Sequence, residues 1–180
     1  MPSQKTSLDR RGFFKKSGAF FFGGLAALVP IGAGLAVLFD PLRRKSGSAK
    51  AVKITTLDAV PESGQPRMFP VIAAKTDAWN RFEAAPIGAV YLRRTADDKM
   101  EAFNAACPHA GCFVDFSESK KCFQCPCHDS SFALDGKIAN PGSPSPRALD
   151  SLTVKVDDDG AVWVTFQNFR AGRADKVPAA

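Results

Sequence analysis

Hydrophobic positions fall into two textures along the chain. From Ser17 to Phe39 there is no charged side chain, a run of 23 residues between Lys16 and Asp40. At about 1.5 Å per residue, roughly 20 apolar residues cross the hydrocarbon core as a helix, so the run predicts one transmembrane helix over 17–39 with some tilt. Gly23, Gly24, Gly32, Gly34 and Pro30 would weaken a helix in water but are tolerated in lipid. After Ala51 the apolar residues come in short runs. Val52–Leu57, Met68–Ile72, Ala89–Leu92, Met100–Asn104, Leu152–Val156 and Val162–Phe166 read as strands, the last two joined by a turn at Asp157-Asp158-Asp159-Gly160. Asp77–Phe82 reads as one short helical turn, and no longer stretch after position 50 has a helical period. The fold class is therefore mainly β: an antiparallel β head behind an N-terminal transmembrane helix.

Charge sharpens this division. The formal net charge is +6, but residues 1–50 hold nine Lys or Arg against Asp9 and Asp40, which leaves the head one unit negative. A balanced head offers no basic footprint for a phosphate backbone, so no nucleic-acid partner is expected. A cleaved secretory signal is the alternative to an anchor, but its apolar region usually spans only about 7–15 residues and ends in a small-residue cleavage site. Here the run ends in Asp40-Pro41-Leu42-Arg43-Arg44-Lys45, which favours a retained anchor. Ahead of it, Asp9-Arg10-Arg11-Gly12-Phe13-Phe14-Lys15 is similar to the bacterial twin-arginine export signal. Basic residues flank the span almost evenly, so that signal rather than charge sets the orientation: N-terminus cytoplasmic, head on the outer face of the bacterial inner membrane. The expected organisation is a flank and signal over 1–16, the anchor over 17–39, a linker over 40–50 with a hinge at Ser46-Gly47-Ser48-Ala49, a head over 51–167, and a solvated, flexible tail over 168–180.

The chemistry is concentrated. All five cysteines and both histidines lie between Cys107 and His128. So many sulfur and imidazole groups in 22 residues point to a metal. They form two boxes, Cys107-Pro108-His109-Ala110-Gly111-Cys112 and Cys125-Pro126-Cys127-His128, with 15 residues between His109 and Cys125. Zinc is one reading, with Cys122 and Cys125 as a Cys-x-x-Cys pair completed by Cys107 and His109. It leaves Cys112, Cys127 and His128 without roles.

The paired boxes resemble the Rieske iron–sulfur family, and the resemblance covers the head, with a cluster-binding subdomain at about 106–147. It implies one [2Fe–2S] cluster per chain, with Cys107 and Cys125 on the inner iron and His109 and His128 on the outer one. It also implies a disulfide between Cys112 and Cys127, suited to an oxidising compartment. Two neutral imidazoles in place of two thiolates raise the potential to about −150 to +300 mV, against about −400 mV for a four-cysteine cluster. Ser130 stands where the family's serine donates to a bridging sulfide, which also raises the potential. Phe132 stands where high-potential members carry a donating tyrosine, and Asp129 replaces a usual glycine; both departures imply a lower potential, suited to menaquinol. Pro108 and Ala110 replace a threonine and a leucine common among quinol oxidisers. Asn140-Pro141-Gly142-Ser143-Pro144-Ser145-Pro146-Arg147 resembles the family's proline-rich loop over the cluster, and Cys122, without a counterpart, is expected to pack in the strand leading to the second box.

Anchor, hinge and disulfide together resemble the iron–sulfur subunit of a bacterial cytochrome bc-type quinol:cytochrome c reductase. The implied role is electron transfer in a respiratory chain, with no complete catalysis by this chain alone. His128 would take a hydrogen bond and a proton from quinol in a cytochrome b subunit, and a c-type cytochrome would accept the electron. The alternatives are the small Rieske subunit of a periplasmic arsenite oxidase, a soluble Rieske ferredoxin or oxygenase, and a zinc-bearing structural module.

Overall fold

The computed structural model describes residues 10–43, 49–76, 80–95 and 99–179. The chain divides into two compact units, residues 1–45 and 46–180. In the first, helix α1 (Arg10–Arg43) runs unbroken through Pro30. Within Arg10–Asp40 an 18-residue stretch has a mean hydropathy of 2.1, and none of it is buried. Phe20, Phe21, Phe22, Val29, Val37 and Leu38 are all exposed. Such a contiguous apolar surface is not stable in water and matches the interior of a bilayer. The helix passes the expected span at both ends, because polar flanking residues such as Arg10 and Lys16 continue a helix at little cost. Residues 1–9 and the hinge residues 46–48 lie outside the described residues.

The second unit is built on a six-stranded antiparallel sheet in the order β1-β9-β8-β4-β3-β2. Its strands are β1 (Lys50–Thr56), β2 (Arg67–Thr76), β3 (Arg81–Arg94), β4 (Met100–Asn104), β8 (Ser151–Val156) and β9 (Ala161–Phe166). Lys50, placed in the linker on sequence grounds, pairs with Phe166 and opens β1. The outermost strands β1 and β2 approach each other, so the sheet curls toward a barrel. Alternation in Leu152–Val156 and Val162–Phe166 gives the β8–β9 hairpin, closed where Gly160 takes φ 75° and donates to the Asp157 carbonyl at 2.9 Å. Val60, Val71, Val90, Leu92, Ala102, Val162, Val164 and Phe166 fill the aliphatic core.

Of the helical turn expected at Asp77–Phe82, Arg81 and Phe82 belong to β3 instead, and Asp77–Trp79 lie outside the described residues. The β2–β3 hairpin is longer than the sequence pattern suggests, because register shifts at Val71/Ile72 and Ala73/Lys75 interrupt the alternation that would reveal it.

Between β4 and β8 the chain leaves the base and builds a small sheet, β5 (Asp115–Ser117), β6 (Cys122–Gln124) and β7 (Ser131–Phe132). Strands this short carry little ladder energy, and the subdomain is held by an aromatic core instead. The Phe123 ring meets Tyr91, Phe103 and Phe116 edge-on at 4.9, 6.1 and 5.6 Å. Gly136, with φ 81°, lies where a Cβ would come within 2.7 Å of the Phe103 ring, so only glycine fits the turn that returns the chain to the base. The chain's single tyrosine fastens the two parts together: from β3, its buried hydroxyl donates to the Val114 carbonyl at 3.0 Å and accepts from the Phe116 N–H at 3.1 Å.

The tail is solvated, as its composition implies, but it is tied down rather than loose. Phe169 bridges Pro178, the Gly172 N–H donates to the Pro108 carbonyl at 2.8 Å, and the Lys176 ammonium lies 4.6 Å over the Phe169 ring. These bonds are mostly backbone contacts, which a polar sequence does not advertise.

Candidate metal centre

The two cysteine–histidine boxes fold as two loops of the same construction. In the first, the Cys107 N–H donates to the Cys112 carbonyl at 2.7 Å, and Gly111 turns with φ 81°. In the second, the Cys125 N–H donates to the Ser130 carbonyl at 2.8 Å, and Asp129 turns with φ 58°. Each loop thus closes from a cysteine to the fifth residue beyond it. The left-handed turn at Asp129 gives a backbone reason why glycine suits that position; aspartate is among the few other residues that tolerate it.

The first loop rises from β4 on a bridge between Ala106 and Phe113. Asn104, buried at the end of β4, accepts the Ala106 N–H at 2.9 Å on its Oδ1, and its Nδ2 donates to the Gln167 carbonyl and the Asn168 Oδ1. The second loop rises from the β6–β7 hairpin. Cys112 and Cys127 are joined by a disulfide across the two loops, with Cα atoms 6.7 Å apart.

Within this frame the remaining donors separate by type. Cys107 and Cys125 are free, buried thiols, 1% and 3% exposed. Burial pushes the Cys107 thiol up, and the adjacent Cys125 adds to that, against a lowering by the His109 backbone N–H. The fold by itself therefore keeps Cys107 protonated, and a metal would have to displace that proton. The two imidazoles face outward. Their rings lie 4.8 Å apart, edge to face, with His109 half-buried and His128 exposed. Thiols meet inside and imidazoles meet outside.

Two buried polar atoms at the site, His109 Nδ1 and Ser130 Oγ, have no hydrogen-bond partner. An unpaired buried polar atom costs on the order of 1–3 kcal/mol, so its presence at a donor-rich site calls for a ligand. A [2Fe–2S] cluster fits both, with iron for the imidazole nitrogen and sulfide for the hydroxyl. The sulfurs of Cys112, Cys125 and Cys127 lie within 4.8 Å of one another, but two of these form the disulfide and offer no thiolate. That proximity places the disulfide directly beside a buried thiol. Cys122 begins β6, half-buried and opposite Ser117.

Comparison with known proteins agrees with the donor set. Residues 52–155, more than half of the chain, match the Rieske [2Fe-2S] domain. The chain belongs to the Rieske [2Fe-2S] family. Its cofactor is accordingly a [2Fe–2S] cluster. Among curated relatives, the cytochrome b6-f complex iron-sulfur subunit of Synechococcus sp. strain JA-3-3Ab is 38% identical over 64 residues, covering 36% of each chain. The subunit of the same description from Chlorobaculum tepidum is 28% identical over 159 residues, covering 83% of this chain and 72% of that one. The chain thus spans only about a third of the length of the first of these relatives. Among solved structures, the cyanobacterial plasma membrane Rieske protein PetC3 from Synechocystis PCC 6803 is similar with a TM-score of 0.45 at 23% identity, covering 64% of this chain and 99% of that one.

Several residues that build this Rieske site carry no signal in the sequence pattern. Tyr91 and Asn104 read only as strand positions, yet one pins the subdomain and the other the root of the first loop. Arg147 reads as the end of the proline-rich loop, yet it forks onto Asp150 at 2.9 and 2.7 Å with both side chains nearly buried. Phe132 is fully buried in the aromatic core and pairs with Phe123, so the place where a tyrosine would donate is filled by packing alone. Tyr91 does not substitute for that donor, because its proton is committed to Val114.

Proposed function

We propose that this chain is the electron-transfer subunit of a membrane quinol:cytochrome c oxidoreductase of the cytochrome bc type. In this reading α1 is its retained anchor in the bacterial inner membrane, and the head stands on the outer face after twin-arginine export. Cys107 and Cys125 hold one iron, and His109 and His128 hold the other. The observation that carries the reading is the sorting of donors by depth, with buried thiols behind and imidazoles, His128 foremost, at the surface. When bound, the cluster supplies a one-electron acceptor whose imidazole ligands couple its charge to protons.

The chain's own residues then do the following. His128 presents its outer ring nitrogen to solvent, where it accepts a hydrogen bond and then a proton from a quinol held by a cytochrome b subunit. His109, half-buried beside it, is shielded and serves as a ligand only. Ser130 aims a buried hydroxyl into the site and favours the reduced, more negative state. The disulfide holds the two loop tips in register, so that both pairs of donors stay aligned. Phe132 withholds a donor and Asp129 adds a negative charge near the second loop, which matches a lower-potential quinol such as menaquinol. The curated relatives named as cytochrome b6-f subunits support membership in a complex of this general kind.

The test is a redox-poised EPR titration of membranes carrying the protein, with and without a quinol-site inhibitor. A mixed-ligand [2Fe–2S] signal that shifts with inhibitor is the expected result. A signal indifferent to inhibitor, in a protein that copurifies with molybdenum and not with b-type haem, would assign the chain to an arsenite-oxidase complex instead. Ser130→Ala should assemble the cluster at a lower potential.

A further inference from the structure

The C-terminal segment is bound to the first ligand loop at two points. At one, the Gly172 N–H donates to the carbonyl of Pro108, the residue between Cys107 and His109. At the other, Asn168 and Gln167 accept from the Asn104 amide that also holds the Ala106 N–H. Between these points the strap is pinned from beneath by Arg147. Its Nη1 donates to the Arg170 carbonyl at 3.2 Å and to the Arg173 carbonyl, while Nε and Nη2 fork onto Asp150. The Asp150 carbonyl in turn accepts the Asn104 N–H at 2.8 Å. The network ends on the loop that carries Cys107 and His109.

We propose that Arg147 and the strap over 168–173 are positioning elements that set the reduction potential of the metal centre. The inference rests on the reading of Cys107 and His109 as cluster ligands. Two physical effects act in the same direction. The guanidinium, 10% exposed, is a fixed cation in a poorly solvated place, and its hydrogen bonds to Asp150 and to the strap hold it beside the root of the first loop. A fixed cation favours the reduced state, which is the more negative one; Asp150 offsets part of that field. The Gly172 N–H draws electron density from the Pro108 carbonyl and holds the loop that presents His109. Gly172 is suited to this task because its φ is 72°, a conformation that side-chain-bearing residues rarely adopt.

The experiment compares the full-length protein with Arg147→Gln, Arg147→Lys and Gly172→Pro, reading cluster content and midpoint potential by EPR. Arg147→Gln should keep its cluster at a lower midpoint potential. Arg147→Lys, which retains the charge but cannot fork, should fall between it and the unmodified protein. Gly172→Pro leaves every charge in place and lies in an exposed segment; it should also lower the potential, by releasing the loop. A merely structural role would lower thermal stability and leave all three potentials unchanged, and that result overturns the proposal. If Arg147→Gln loses its cluster, the other two variants decide by the same criterion. Absence of a nitrogen-ligated cluster in the unmodified protein would overturn the ligand reading, and this inference with it; a cluster that is present but indifferent to the strap overturns only the inference.

Discussion

The base sheet and the cluster-bearing subdomain share one chain but are stabilised differently. The base is six strands with an aliphatic core of valines, Leu92 and Phe166, and its ladders run up to fourteen residues in β3. The subdomain has strands of two or three residues and a core of Phe103, Phe123, Phe132 and Tyr91 packed with the thiols of Cys107 and Cys125. A ladder distributes stability over many equivalent bonds, so that a local change is absorbed. A loop-rich metal site depends on a few large rings and covalent or metal staples, so that each is needed for geometry as well as stability. The division suits a metal centre: a base of long strands supports two loop tips, with thiols buried between them and imidazoles toward the surface.

The sharpest break in that contrast is at Phe123, fully buried and touching three other rings. Phe123→Ala should cost about 3–5 kcal/mol and abolish cluster assembly. Leu92→Ala in the base should cost about 2–5 kcal/mol in thermal or denaturant unfolding while the cluster spectrum is retained. Equal loss of cluster in both would erase the distinction.

Next is the disulfide, which closes 15 residues. Replacing Cys112 and Cys127 with serine should lower stability by about 3 kcal/mol on the chain-entropy account. Amide exchange should accelerate in 106–132 and remain slow in β8 and β9; uniform acceleration would mean that the staple serves the whole head. Tyr91→Phe tests the fastening between the two parts. It leaves the Val114 carbonyl and the Phe116 N–H unpaired, at a cost of about 1–3 kcal/mol in unfolding, with exchange rising at 114–116 before the base.

The smallest effect is at the turn that leaves the subdomain, where Lys137 donates through its side chain and backbone to Asp135, holding that carboxyl below its ordinary value. A depressed carboxyl stabilises the fold above its unfolded pKa and loses that contribution as pH falls through the lower folded value. The loss should therefore appear only at acid pH. The pair is exposed, so an NMR titration of Asp135 should move toward the ordinary value in Lys137→Ala with almost no change in stability.

Legibility in the sequence followed the same division. β8 and β9 were readable because alternation over six residues is a local property. The extension of β2 and β3 was not readable, since bulges break the period, and β5 to β7 are too short to show one. The candidate donors were legible, because thiols and imidazoles at fixed spacing are chemistry written in residue identity. The strap was not: it is polar, exposed and held largely through backbone carbonyls, so a tail that composition marks as loose is fixed against Pro108.

What the sequence determined by itself is therefore the apolar helix, the β character of the head and the candidate metal donors, each encoded by neighbours within a few residues. Tertiary structure alone decided which of those side chains are buried, and that Arg147, Asn104 and Tyr91 hold the loops that carry them. Those facts depend on contacts such as Asn104 with Asn168, 64 residues apart. No local pattern records them, because burial and direction arise only when distant segments close around the same space.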